Sequence, residues 1–127
     1  MIKNILEFFR VIGELRFIVP LLTYKWPEPD DSASLAHTFQ ESVDKFGEKD
    51  FIYFEDQTWT YSQTNEAANI LANKLVKEGI VHSDRVVLLM ENRPEFVISI
   101  LALNKIGAIG VLINTSLTGT PLIHCIN

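Results

Sequence analysis

One stretch restricts the fold of this chain more than any other: residues 84–114, DRVVLLMENRPEFVISILALNKIGAIGVLIN. DRVVLLME is a continuous apolar run of strand length, and strands without polar alternation are those buried on both faces of a parallel sheet. RPEFVISILALNKIG then places Pro94 in the first turn of a helix, where its missing N–H costs nothing, and Gly107 at the end. AIGVLIN is a second apolar run. Strand, helix and strand in that order predict one right-handed βαβ unit of a parallel sheet.

Upstream, DFIYFEDQTWTY alternates apolar and polar residues on either side of an acidic-polar turn at residues 55–57, the pattern of a β-hairpin. Thr60 and Gln63 stand in the capping-box relation at the head of TYSQTNEAANILANKLVKEGI, whose apolar positions Ala67, Ala68, Leu71, Leu75 and Val76 repeat at helical spacing, with Gly79 just past the end. Ser34 can cap an earlier helix over LAHTFQESVDKFG, with Leu35, Phe39, Val43 and Phe46 on one face and Gly47 as its stop. WPEPDDSAS, residues 26–34, joins two prolines to acidic and small turn residues and reads as a linker. The expected map is an amphipathic helix at 1–25, a linker at 26–34 and an incomplete subdomain at 35–127.

Residues 1–25 set Ile5, Phe8, Phe9, Ile12 and Leu15 at helical spacing, with Lys3, Arg10, Arg16 and Lys25 outnumbering Glu7 and Glu14. The charges break the run too often for a signal peptide or a membrane span, and Pro20 ends or kinks it. What remains is an amphipathic helix, suited either to a lipid headgroup layer or to packing on its own protein. Eleven Lys plus Arg against sixteen Asp plus Glu, a net charge of −5, gives no footprint for nucleic acid. Cys125 is the single cysteine and fits a reducing, cytoplasmic compartment, with peripheral contact at the inner face of a membrane through residues 1–25. With 47% hydrophobic residues in 127, the chain can build a core.

Chemistry is harder to find. Open parallel sheets bind ligands outside the carboxyl ends of their strands, which here are ENRPE at 91–95 and NTSLTGT at 114–120. Gly107 and Gly110 do not form a dinucleotide fingerprint, and a Walker loop is absent from the sequence. Asn114, Thr115, Ser116, Thr118 and Thr120 can grip an anion, but such residues after a strand more often cap the next helix. His37, His82 and His124 have no metal-ligand spacing to one another, and His124 with the adjacent Cys125 makes an unworkable pair. Cys125, flanked by Leu122, Ile123 and Ile126, reads as a buried structural thiol rather than a nucleophile. Glu91 and Glu95 flank a strand end without an opposite wall to divide acid from base roles. No catalytic, cofactor-binding or metal-binding residue is therefore assigned.

The chain from about residue 35 to residue 127, above all LLMENRPEF with KIGAIGVLINTSLTGTPLIHCI, resembles the start of the adenylate-forming acyl-CoA synthetases, and among them the fatty acid transport protein or very-long-chain branch. WTYSQTNEAANILANKL is similar to that family's first core motif and LNKIGAIGVLINTSL to its second. The resemblance implies an α/β fold, the N-terminal portion of the adenylate-forming enzyme fold. It also implies a parent enzyme that activates a fatty acid with ATP to an acyl-adenylate and passes the acyl group to CoA, with Mg²⁺ on the phosphates. The family's triphosphate loop, nucleoside motifs and catalytic lysine come after the segment matched here. The expectation is an N-terminal fragment of a ligase that binds no cofactor itself and is inactive alone. The alternatives are a non-enzymatic α/β interaction or membrane-surface module, and a small-ligand binding domain using the two strand-end loops.

Overall fold

The computed structural model describes residues 34–126. The amphipathic segment at 1–25 and nearly all of the expected linker lie outside the described residues.

The first helix, α1 (Leu35–Phe46), begins where Ser34 Oγ accepts the His37 N–H at 3.1 Å. An antiparallel hairpin comes next, β1 (Asp50–Phe54) and β2 (Gln57–Thr60), joined through Glu55 and Asp56, with Glu55 at φ 51°. The chain then enters α2 (Tyr61–Lys77), opened by the expected capping box: Gln63 N–H donates to Thr60 Oγ1 at 3.2 Å and Thr60 N–H donates to Gln63 Oε1 at 3.0 Å. Thr60→Ala removes one acceptor and frees the other arm, so it is expected to lower the urea midpoint by an amount equivalent to about 1 kcal/mol.

The βαβ unit is present as β3 (Arg85–Leu88), α3 (Pro94–Lys105) and β4 (Ile109–Leu112), with the strands parallel and Arg85, Val86, Val87 and Leu88 opposite Ile109, Gly110, Val111 and Leu112. Pro94 stands at the head of α3 as expected. A short α4 (Gly119–Ile126) lies beyond β4 in the chain. The result is a mixed α/β fold of two small sheets.

Helix α3 is apolar on more than one side because it is packed on more than one side. Ile98 and Leu101 join Phe39 of α1 and Ala68 of α2 in one cluster, closed by the hairpin aromatics. There Phe51 lies 5.0 Å from Phe39 and 4.5 Å from Tyr61 between ring centroids. Leu103 joins Leu88 and Ala108 in a second cluster, with Leu75, Ile80 and Val86 packed around it. Asn104, at the end of α3, accepts the Ala36 N–H of α1 at 2.8 Å.

Some expected positions differ. Gly47 does stand at the end of α1 as expected, but with right-handed backbone, φ −44°, rather than a left-handed turn. Its lack of a side chain serves another need, since a Cβ there would meet Ser62 Oγ at 2.6 Å. Leu35 and Phe46 are exposed at the ends of α1, and Val76 is exposed on α2 where Ala72 is buried instead. Strand β3 stops at Leu88, leaving Leu89 exposed.

Candidate functional site

The parallel strands deliver two segments to the same rim, because Leu88 and Leu112 are in register and the chain leaves both strands at the same end of the sheet. The rim encloses a groove of about 490 Å³ between Met90, Glu91, Asn92 and Phe96 on one side and Leu112, Ile113, Asn114 and Thr115 on the other. Both segments named from the sequence are thus brought together, in the position general for parallel sheets. The lining supplies one carboxylate, two carboxamides and a hydroxyl beside apolar side chains, and contains neither Lys nor Arg. It can orient a polar group by hydrogen bonds, but it cannot offset phosphate charge.

The polar residues after β4 are partly engaged with their own backbone. Asn114 Oδ1 accepts the Ser116 N–H at 2.9 Å, forming a turn before α4 rather than capping the helix itself. Glu95 is held by Arg93 through paired bonds of 2.7 and 3.1 Å. That hydrogen-bonded guanidinium keeps the Glu95 carboxyl below the ordinary carboxylate range, and Glu95 in turn raises Arg93. Glu91 and Glu95 therefore do not form an acid–base pair: Glu91 lies on the groove, and Glu95 belongs to the ion pair beside it.

The histidines stay apart. His37 lies on α1, 3.6 Å from Glu41, and His124 is exposed on α4. His82 Nδ1 is 2.8 Å from Ser83 Oγ, and its ring covers Gly107, where a Cβ would come within 2.4 Å of Cδ2. Gly107 is left-handed, with φ +70°, and it pairs back to the same loop: the Ser83 N–H donates to Gly107 O at 2.8 Å. Among the described residues no group of three or more His, Cys, Asp or Glu side chains is placed to hold a metal ion.

Cys125 corrects the sequence reading. It is exposed rather than a buried structural thiol, because α4 buries no side chain and the flanking Ile123 and Ile126 are themselves exposed.

A second groove, about 480 Å³, was not foreseen. Thr58 and Trp59 of β2 face Gln63, Glu66 and Ile70 of α2 across it. Only the apolar Trp59 beside a capped helix hinted at it. Asn65, also missed, is buried with its Nδ2 donating to Gln40 Oε1 at 3.1 Å.

The fold has known counterparts. Residues 39–127 match the family described as AMP-binding enzyme. The chain belongs to that family. Within it, the chain is 33% identical over 116 residues to the Mycobacterium tuberculosis medium/long-chain-fatty-acid–CoA ligase FadD6, a match covering 91% of this chain and 19% of that protein. It is 41% identical over 91 residues to a very long-chain fatty acid transport protein of Cochliobolus heterostrophus, covering 71% and 14%. Among solved structures, the Klebsiella oxytoca NpsA N-terminal subdomain superimposes with a TM-score of 0.71 at 27% identity, over 73% of this chain and 24% of that one. The Bacillus subtilis O-succinylbenzoate coenzyme A synthetase in complex with AMP gives 0.63 at 26% identity, over 68% and 22%. The chain thus spans about a fifth or less of the curated relatives it matches, within the N-terminal subdomain of adenylate-forming enzymes.

Proposed function

We propose that residues 35–127 serve as scaffold in the N-terminal subdomain of a long- or very-long-chain fatty acyl-CoA synthetase. The whole enzyme activates a fatty acid with ATP to the acyl-adenylate and then forms the thioester with CoA. The observation that carries this reading is the similarity over 91% of the chain to a fatty-acid–CoA ligase, alongside the transport-protein relative. In that enzyme these residues hold two strand ends in register and present Asn92, Asn114 and Thr115 at their rim. The groove at that rim has neither Lys nor Arg in its lining, and among the described residues no group of three or more His, Cys, Asp or Glu side chains is placed to hold a metal ion. In this reading the charge stabilisation of adenylyl transfer comes from residues outside this groove.

The test is direct. Chain 1–127 given palmitate or a longer fatty acid, ATP, Mg²⁺ and CoA should form no acyl-CoA above a buffer control. Joined to the part of FadD6 beyond its matched region, it should form acyl-CoA, and a joined polypeptide that folds but makes neither acyl-adenylate nor thioester would refute the reading.

We further propose that residues 1–25 give the protein peripheral attachment to the inner face of a membrane from the cytoplasmic side, with 26–34 as a linker. The support is the apolar spacing of Ile5, Phe8, Phe9, Ile12 and Leu15 within a basic segment. Among the described residues no helix is long and apolar enough to cross a membrane. Flotation with anionic liposomes should be strong for the parent and lost for Phe8→Glu with Ile12→Glu. Equal flotation of the two would assign the segment to packing instead.

A further inference from the structure

Helix α1 is tied to its neighbours by two carboxamides. Asn104 Oδ1 of α3 accepts the Ala36 N–H at 2.8 Å, and Asn65 of α2 donates from Nδ2 to Gln40 Oε1 at 3.1 Å. Ala36 and Gln40 stand one turn apart, so two different helices grip successive turns of α1. The second grip has a direction. Gln40 Nε2 donates to the exposed Asp44 at 2.9 Å, and a carboxylate only accepts, so Gln40 turns its Oε1 inward. Asn65 answers with Nδ2, which leaves its Oδ1 buried with no hydrogen-bond partner among the described residues. Asn65 is 8% exposed, and a leucine of similar size there would carry no unpaired acceptor, so stability does not account for the carboxamide.

Apolar packing by itself leaves the position of α1 open. Leu35, Phe39 and Val43 follow one another at single-turn spacing, and of these Phe39 is the buried one. Sliding α1 by one turn puts the next apolar side chain of the stripe into the cluster with Ala68, Ile98 and Leu101. The same slide sets Ala36 or Asp44 in the place of Gln40 opposite Asn65. Ala36 has no side-chain acceptor, and Asp44 would carry a carboxylate into a buried contact. The slide also moves the Ala36 N–H by about 5.4 Å along the helix axis, out of reach of Asn104.

We propose that Asn65 and Asn104 together fix α1 along its own axis, excluding the one-turn slides that its apolar stripe allows, and that Asn65 does so without adding stability. A buried polar contact that sets the register of packed helices acts in the same way. The inference rests on the contacts of α1 with α2 and α3 and not on the ligase chemistry, so alignment and activity are read separately.

The experiment compares chain 1–127 with Asn65→Leu, Asn104→Leu and the double variant, by ¹⁵N amide spectra and urea unfolding. Each single variant keeps one grip and should show one set of α1 amide resonances. The double variant should show two or more sets over residues 35–46, or exchange-broadened ones, while α2 and α3 keep a single set. Asn65→Leu should leave the urea midpoint unchanged or higher. Gln40→Leu strands the Asn65 carboxamide and should lower the midpoint, and adding Asn65→Leu to it should bring the midpoint back. A single sharp α1 set in the double variant would overturn the proposal, because packing alone would then position the helix. Multiple sets in either single variant would do the same, since the other carboxamide would then have no share in alignment. So would a midpoint lowered by Asn65→Leu as far as by Gln40→Leu, or a double variant that does not fold, either of which assigns the carboxamides to stability.

Discussion

Leu103→Ala is expected to destabilise the chain by about 2–5 kcal/mol, a large part of the stability of a small domain. Leu103 is 2% exposed and joins Leu88 of β3, Ala108 before β4 and Leu75 of α2. Alanine there leaves a cavity that strands fixed by their own ladder cannot collapse into. Urea unfolding monitored by circular dichroism should show the midpoint drop with an unchanged slope, or a chain unfolded without urea. Leu112→Ala is the matched control, since the same atoms are removed from an exposed position and the cost should stay below about 1 kcal/mol. Equal effects at the two sites would mean that the sheet is covered at β4 after all.

Gly107→Ala carries the second large effect. A left-handed backbone costs a non-glycine residue about 1–3 kcal/mol, and the added methyl also meets the His82 ring. The ring is exposed at its outer side and can move, so His82→Ala combined with Gly107→Ala should recover the steric part and leave the backbone part. A double-mutant cycle on urea midpoints separates them. Neutral Gly107→Ala would contradict the left-handed turn that lets α3 hand the chain to β4.

What was legible in the sequence is what local chemistry decides. The Thr60 and Gln63 box, Pro94 at the head of α3 and the left-handed Gly79 and Gly107 each answer a need of their own segment, so a few neighbours suffice to place them. The βαβ order was legible because apolar runs flanking a helix have few other solutions, and with it the strand-end rim. Burial was less so. Cys125, Leu35 and Val76 have apolar neighbours, yet whether such a residue is covered depends on what stands across from it. Thr64 hides the converse case, a polar residue fully buried because its hydroxyl donates to Thr60 O at 2.8 Å one turn earlier. The groove between Trp59 and Ile70 depends on how the hairpin leans on α2, which no spacing encodes.

The bond from Ala36 to Asn104 spans 68 residues. A helix start ordinarily finds its acceptors in adjacent sequence, as α1 does with Ser34, but this donor waits for a side chain from the far end of α3. Helix α1 can thus begin to coil early while its first turn stays frayed until α3 has docked. In a refolding experiment its amide at Ala36 should gain protection together with α3 and later than the capped first turn of α2, so the chain's earliest described segment would be among the last to settle.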